Sequence, residues 1–353
     1  MISRPTNTNH YMERINNIII RLFNNPLSVL RFALPWLVAK VIYDQLNIIY
    51  YNSYDHVPAF SKTWFLHLMP DSWLSFGPES KFLFILLVVC AVGAALGIAG
   101  RLCLLILAFL EFLVGGTFES LGIFDHNSSL SSQVLLILAL VPGTMRISVD
   151  YFVYKHFINK KLVKKPNGPP PKWGLNLILI VLVLTYFTAG VSKIRHGGIK
   201  WLDGATLGFY LENYVADYAS GEQQLLIAND AINSGEHWKD NIGFEAHTYG
   251  NYQYRTGFKK LANWVAERPA WVIAISVITI LFEFTWFIVF INSKYRNIYL
   301  IAAFITHTMI GVLMGLYFLH YRIICLCLLD WNLMLKTFGG KYGKRLAARV
   351  QSL

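Results

Sequence analysis

Long apolar runs constrain the fold of this chain more than any other feature. Runs of about 17–25 apolar residues are long enough to cross a hydrocarbon core roughly 30 Å thick. Candidate runs lie at residues 27–50, 81–99, 102–119, 129–145, 174–194, 270–291, 298–317 and 319–335. The 353-residue chain is 55% hydrophobic and 14% charged, and its mean hydropathy is +0.44, as in polytopic membrane proteins. We therefore predict an all-α membrane bundle of about eight transmembrane helices.

The basic residues predict the orientation of this bundle. The formal net charge is +11, but the basic residues cluster between apolar runs, as membrane topology requires, so no nucleic-acid partner is implied. Residues 146–172 carry seven basic side chains against the single acid Asp150. This loop and both termini are therefore predicted to be cytoplasmic. The expected location is a bacterial inner membrane.

The same pattern predicts the domain organisation. Residues 1–26 form a cytoplasmic segment, residues 27–335 the membrane domain and residues 336–353 a basic cytoplasmic tail. Within the membrane domain, residues 205–269 are too polar to span and too long for a simple turn. Loops of this length are usually functional or disordered, and we expect an extracytoplasmic cap.

Lys193 is the first candidate for chemistry because it follows the apolar run "GLNLILIVLVL" within the segment "YFTAGVSKIRHGGIKWLDG". Near a helix end a lysine can extend its stem and place its ammonium in water. Alternatively, an amine partly removed from water among helices can act as a base near neutral pH. The adjacent Ser192 also permits a Ser–Lys hydrolase, although neighbouring positions on a helix do not face each other.

Glu283 and two histidines are the other candidates. Glu283 lies in "LFEFTWFIVF", where a carboxylate must be protonated, paired or exposed to water. Its possible partners are Arg31, Lys40, Lys193 or a histidine, and the sequence does not choose among them. His307 lies near the middle of an apolar run, which favours the bundle interior for a structural or functional role. His126, in "GIFDHNSSL", fits either a helix-capping cluster or a site beside Lys193.

The histidines and cysteines do not predict a metal site. No HxxxH, HxxH or CxxC spacing occurs, so no metal is expected. Cys90, Cys103, Cys325 and Cys327 lie in apolar stretches and are interpreted as buried small hydrophobic residues. Aromatic residues such as Trp201, Trp264 and Trp271 are typical of membrane-interface belts, and some could line a pocket for a flat apolar ligand.

Four stretches, in order, resemble one family. They are "PLSVLRFALPWLVAKVIYD", "FDHNSSLSSQVLLILALVPGTMRISVDY", "YFTAGVSKIRHGGIKWLDGATL" and "FEFTWFIVFINSKYRNIYLIAAFITHTMIGVLMGLYF". Together they resemble the vitamin K-dependent γ-glutamyl carboxylases and the broader horizontally transferred transmembrane domain family. The resemblance is to a bacterial-type member without the large lumenal domain of the animal enzymes.

This resemblance implies a reaction and a set of site residues. Lys193 matches the base that deprotonates a reduced vitamin K or menaquinol, while His126 and His307 match histidines that orient the quinol. Glu283, Arg31, Ser192 and Trp201 are expected to contribute to substrate or cofactor binding, with Ser192 at a position where the animal enzymes have a lysine. In the family, the quinol and O₂ generate a strong base that removes a γ-proton from glutamate, so that CO₂ can add.

The expected function is therefore that of a membrane-integral γ-carboxylase-like lyase with quinol epoxidase chemistry. Its expected partners are membrane lipid, a quinone and a glutamate-containing peptide or protein. Two alternatives stay open. The chain could be a maturation factor for a secreted peptide toxin, or a non-catalytic quinone- or lipid-binding protein in which Lys193 is an anchor at the membrane surface.

Overall fold

A computed structural model of the chain describes residues 25–51, 65–70, 81–120, 126–145, 147–153, 172–212, 256–314 and 318–340. Within these ranges the regular structure is helical and contains no strand, so the predicted all-α fold is confirmed. The helices are α1 Pro26–Tyr51, α2 Lys81–Leu96, α3 Gly100–Ser120, α4 His126–Leu140, α5 Val149–Val153, α6 Lys172–Ser192, α7 Ala205–Glu212, α8 Thr256–Ala266, α9 Pro269–Phe284, α10 Ser293–Met314, α11 Leu319–Leu328 and α12 Trp331–Phe338. The first 24 residues, most of the predicted cap and the tail after residue 340 lie outside the description.

Each predicted span coincides with a helix, but the helices differ in length. Among the described residues, the segments long and apolar enough to cross a membrane alone are Pro26–Asn47, Gly100–Thr117, Lys172–Arg195 and Ser293–Met314. α8 and α9, which meet at a 94° bend, make a fifth candidate if they count as one span. Three further apolar helices are shorter, at Phe82–Leu96, Ser129–Leu140 and Leu319–Leu328. The chain is thus a helical membrane bundle, while the count of eight crossings stays a prediction.

α1 supplies the centre of the bundle. Leu30, Leu34, Val38 and Ile42 repeat every four residues along α1 and are fully buried, because this spacing places them on one helix face. They share one core with buried residues of α2, α3, α4, α6, α10 and α11. The outer faces carry large exposed apolar side chains, such as Leu102, which in a membrane protein face lipid.

Charged residues in the first span divide into two kinds. Arg31 is buried, as a charge inside a span is expected to be. Lys40 and Asp44 are exposed instead and form an ion pair one turn apart on α1. Arg31 thus lies inside the bundle, whereas Lys40 and Asp44 offset each other's charge on the outer face.

Small residues set how α6 packs against its neighbours. At Gly174, a Cβ atom would lie 2.5 Å from a methyl group of Val141, so only glycine lets the start of α6 touch the end of α4 this closely. The end of α4 and the start of α6 therefore lie side by side.

α7 and α8 cover the end of the bundle where α9 begins. Leu211 of α7 packs with Ala262, Val265 and Ala266 of α8 and with Val272 of α9. Just before α7, Gly204 has a φ of +83°, and a Cβ there would lie 2.8 Å from the α9 backbone. This glycine lets the chain leaving Lys193 lie directly against α9.

Candidate functional site

Lys193 and Glu283 form an ion pair between two helices. The Lys193 ammonium donates a hydrogen bond to Oε1 of Glu283 over 2.7 Å. The side chains are 25% and 9% exposed, respectively. Of the partners considered from the sequence for Glu283, the structure therefore selects Lys193. Pairing offsets much of the free energy that either charge would cost among apolar helices.

The backbone around this pair explains why it can form. Regular α6 ends at Ser192, and the chain continues as a π-helical turn over Lys193–Gly197, a distortion common at functional sites. Three residues before Lys193, a Cβ atom at Gly190 would lie 3.2 Å from Cβ of Glu283. A glycine here allows α9 to approach α6 so closely that the carboxylate reaches Lys193.

Trp201 closes one side of the pair. Nζ of Lys193 lies 5.4 Å from the centroid of the Trp201 ring, within the range of a cation–π interaction. Trp201 is buried, so it is not the membrane-interface residue that its position suggested. The interpretation of Trp201 as part of a binding site agrees with this location. Ser192 instead is exposed and makes no described contact with the pair.

A second polar pair lies on the same face of α6. The Tyr186 hydroxyl lies 2.6 Å from Nε2 of His307, and both residues are buried. Tyr186, Gly190 and Lys193 follow one another at intervals of four and three residues, which places them on one helix face. Through Tyr186, His307 thus contacts the face of α6 that ends at Lys193.

Aromatic rings surround Tyr186 and His307. Tyr186 stacks on Trp286 with ring centroids 4.1 Å apart and an interplanar angle of 4°. Phe282 meets the Tyr186 ring edge-on at 5.7 Å. On the other side, the His307 ring lies 4.7 Å from Tyr321. Tyr186 was not among the residues predicted from the sequence. The signal that identifies it is its position two helical turns before Lys193, on the same face of the helix.

Several buried polar atoms of this region have no hydrogen-bond partner within the described part of the chain. They are Oε2 of Glu283, Nδ1 of His307 and Nε1 of Trp201. Buried polar atoms are nearly always hydrogen-bonded in folded proteins. Unpaired Oε2 within the ion pair and unpaired Nε1 of Trp201 beside it therefore indicate a place where a polar ligand group could bind. Together with the aromatic rings, they suit a flat apolar ligand that carries hydroxyl or carbonyl groups.

The site is deep within the bundle. Glu283 is the second-last residue of α9, 14 positions after Pro269, which corresponds to about 21 Å along a helix axis. α7 and α8 pack around the start of α9. The carboxylate of Glu283 therefore lies well below the covered end of the bundle, while the Lys193 side chain stays 25% exposed.

Arg31 does not take part in this site. Its guanidinium donates to the carbonyl oxygen of Ile147 and to Sδ of Met145. These partners follow the end of α4, where Val141 packs on Gly174 of α6. Gly174 precedes Lys193 by 19 residues, which corresponds to about 28 Å along α6. The end of α6 near Arg31 is therefore remote from Lys193. Arg31 instead joins α1 to the segment after α4.

His126 begins α4, but its side chain lies outside the description. The proposed role of this histidine therefore stays a prediction.

Comparison of the chain with protein-family models, with curated proteins and with solved structures gives no match. The resemblance to the carboxylases therefore stays an interpretation of sequence motifs. What the site can do must be argued from its own residues.

The structure also contains a second buried polar cluster, which was not among the candidates predicted from the sequence. Glu111 of α3, Ser131 of α4 and His320 of α11 are all fully buried. The Ser131 hydroxyl donates to Oε1 of Glu111 and lies 3.3 Å from Nδ1 of His320. Glu111 occurs in the apolar run "LLILAFLEFLV", and an acid in such a run is a functional candidate by the same reasoning as Glu283.

Metal ligands are not grouped in the described residues. No set of three or more His, Cys, Asp or Glu side chains there could hold a metal ion. Cys90, Cys103, Cys325 and Cys327 are buried and free, which confirms their interpretation as small apolar residues of the core.

Proposed function

We propose that this chain is a membrane-integral, γ-carboxylase-like enzyme that uses a reduced quinone at the Lys193–Glu283 pair. The observation that carries the proposal is this partly buried pair, 2.7 Å apart, with one unpaired carboxylate oxygen and aromatic rings along the same face of α6. When bound, a reduced vitamin K or menaquinol would, with O₂, supply the strong base that allows CO₂ to add to a glutamate side chain. The sequence motifs around Lys193 and His307 support the same reaction class.

The residues present fit such a ligand. A quinol has a flat ring and two hydroxyl groups, and it needs apolar walls and hydrogen-bond acceptors. Tyr186, Phe282 and Trp286 supply aromatic surface, and Oε2 of Glu283 is an unpaired acceptor. Nδ1 of His307 is a second unpaired atom, able to donate or accept a hydrogen bond according to the tautomer.

The pair can take up a proton by two routes that reach the same end state. If Lys193 is an ammonium and Glu283 a carboxylate, Oε2 of Glu283 accepts the proton. If the pair is neutral, the amine of Lys193 accepts it. Either route leaves a protonated Glu283 and a positively charged Lys193. That ammonium then balances the negative charge left on the ligand, which stabilises it electrostatically.

Tyr186 and His307 would act as positioning residues. The Tyr186 hydroxyl fixes the imidazole through Nε2, so that Nδ1 keeps one direction. Stacking on Trp286 in turn fixes the tyrosine ring. A rigid imidazole near the reacting oxygen holds the ligand in one orientation, and such preorganisation is how enzymes gain much of their rate.

The proposal extends to location and partners. The basic loop at residues 146–172 and the basic C-terminal tail favour cytoplasmic termini in a bacterial inner membrane. The acceptor of the carboxyl group would be a glutamate-containing peptide or protein that reaches the site from the capped end. We assign no metal ion to the reaction.

A non-catalytic quinone-binding protein is the second candidate. The same ion pair is compatible with this role, because Glu283 neutralises the charge of Lys193. A pair that only stabilises the fold requires no further partner.

The two candidates differ in turnover. Purified protein in lipid nanodiscs would be incubated with reduced menaquinone, O₂ and labelled bicarbonate, with and without a glutamate-rich peptide. The enzyme proposal predicts quinone epoxide, and label in the peptide when the acceptor is suitable. Saturable quinone binding with no epoxide would contradict it and support the binding protein. Absence of both binding and epoxide would exclude both candidates.

A further inference from the structure

α8 lies across the start of α9 instead of continuing it. The two helices meet at an angle of 94°. α9 has exposed Ile273, Ile278 and Leu281 on its outer face, while its polar residues Ser276 and Glu283 are buried, as expected of a helix within the bilayer. A helix perpendicular to it lies close to the membrane plane.

One side of α8 packs on the protein. Ala262, Val265 and Ala266 are buried against Leu211 of α7 and Val272 of α9. These contacts hold α8 firmly at the end of α9. The remaining sides of the helix are therefore presented to the surroundings in a fixed orientation.

A second side of α8 is apolar and exposed. Phe258, Leu261 and Trp264 follow one another at intervals of three residues and are all exposed, so they form one stripe along the helix. The ring of Trp264 lies 6.3 Å from that of Trp271, which is exposed on α9. The stripe thus continues the lipid-facing surface of the bundle.

The third side of α8 is basic. Lys260 is exposed and Lys259 half-buried. Just beyond the helix, the Arg268 guanidinium lies 4.1 Å from the centroid of the Trp264 ring, which joins the basic and aromatic groups. Glu267 is the only acid among residues 256–268.

We propose that α8 lies in the headgroup layer of the membrane and binds anionic phospholipid through Lys259, Lys260 and Arg268. An amphipathic helix with aromatic residues on one side and basic residues on the other is the usual form of such a surface helix. The lysine stems extend along the apolar boundary and place their ammonium groups among lipid phosphates. Phe258, Leu261 and Trp264 enter the acyl boundary. This inference does not depend on the reaction at Lys193.

Spin labels on two sides of α8 test the proposal. Leu261→Cys places a nitroxide on the apolar stripe, and Glu267→Cys places one on the polar side as a matched control. The four native cysteines are buried, and labelling of the unsubstituted protein measures any background. Both variants would be studied in nanodiscs of phosphatidylcholine alone and with phosphatidylglycerol, by collision with O₂ and with a water-soluble nickel complex.

The proposal predicts a several-fold higher ratio of O₂ to nickel collisions at position 261 than at position 267. It also predicts that phosphatidylglycerol slows the motion of both labels, and that Lys259→Gln with Lys260→Gln removes this effect. Equal nickel access at both positions would overturn the proposal, because α8 would then lie in water. Shielding of position 261 from both reagents would also overturn it, since protein, such as a second copy, would cover the stripe. So would an absence of any response to phosphatidylglycerol.

Discussion

The Tyr186 hydroxyl lies 2.6 Å from Nε2 of His307, deep inside a membrane bundle. Both residues are buried, and the other ring nitrogen of His307 has no partner among the described residues. The hydrogen bond therefore fixes the direction in which the unpaired nitrogen points.

Tyr186→Phe tests what this hydrogen bond contributes. The ring keeps its stacking on Trp286, but Nε2 of His307 loses its partner. We expect the unfolding free energy to fall by about 1–3 kcal/mol. Quinone turnover should fall by a larger fraction of its original value than the unfolding free energy does. Thermal unfolding in detergent and turnover in nanodiscs measure the two effects. A variant as stable and as active as the unsubstituted protein would show that the bond is neither structural nor functional.

A double-mutant cycle tests the energy of the Lys193–Glu283 pair. Lys193→Ala and Glu283→Ala each leave a buried charged group without its partner, whereas the double variant removes both. We expect a coupling energy of about 1–3 kcal/mol, measured by unfolding of the four proteins in one detergent. Additive effects of the two single substitutions would mean that the pair does not stabilise the fold.

Gly97→Ala tests how Arg31 is held. Gly97 has a φ of +72°, and a Cβ there would clash with Nη1 of Arg31 and with Cβ of Ser148. We expect a loss of about 1–3 kcal/mol from backbone strain and overpacking, measured by thermal unfolding. Gly198→Ala is the control, because its φ is +57° but no atom lies within 4 Å of the added Cβ. An equal loss of unfolding free energy in the two variants would mean that the positive φ causes the whole effect. The contact with Arg31 would then contribute nothing.

Ser131→Ala tests the buried cluster of Glu111, Ser131 and His320. The Ser131 hydroxyl contacts both other members, so its removal leaves Glu111 and His320 without this contact. We expect a loss of about 1–3 kcal/mol. Ser132→Ala is the matched control, since the Ser132 hydroxyl donates only to a carbonyl of its own helix, at Ser129, over 3.1 Å, and its loss should stay within about 0.5 kcal/mol. Equal losses would remove any special role for the cluster.

The sequence predicted the parts of this fold that depend on apolar run length. Every predicted span contains a helix, because runs of this length can bury their backbone polar groups only as helices. Interruptions were not predicted. Asp330 separates α11 from α12 because its backbone N–H donates to Oδ1 of Asn297, 33 residues earlier. Such long-range contacts leave no periodic signal in the sequence.

The sequence predicted only part of the candidate site, because long-range contacts decide which of its residues meet. The low polarity of its surroundings required a partner for Glu283, and Lys193 was one of four kinds of partner considered. The choice depended on the packing of α6 against α9 at Gly190, which follows from tertiary contacts. The remote position of Arg31 likewise follows from tertiary packing, since Arg31 binds the segment after α4, where Val141 contacts the start of α6.

The most direct test of the proposed site compares two variants, Lys193→Ala and Lys172→Ala. The measurement is the oxygen-dependent conversion of reduced menaquinone by each variant protein. Both lysines belong to the same candidate span, Lys172–Arg195, but Lys172 is exposed at the opposite end of α6 from the site. With both proteins folded in nanodiscs, we predict epoxide at the unsubstituted rate from Lys172→Ala and a loss of at least about a hundredfold from Lys193→Ala. Equal epoxide formation by the two variants would contradict a base at position 193.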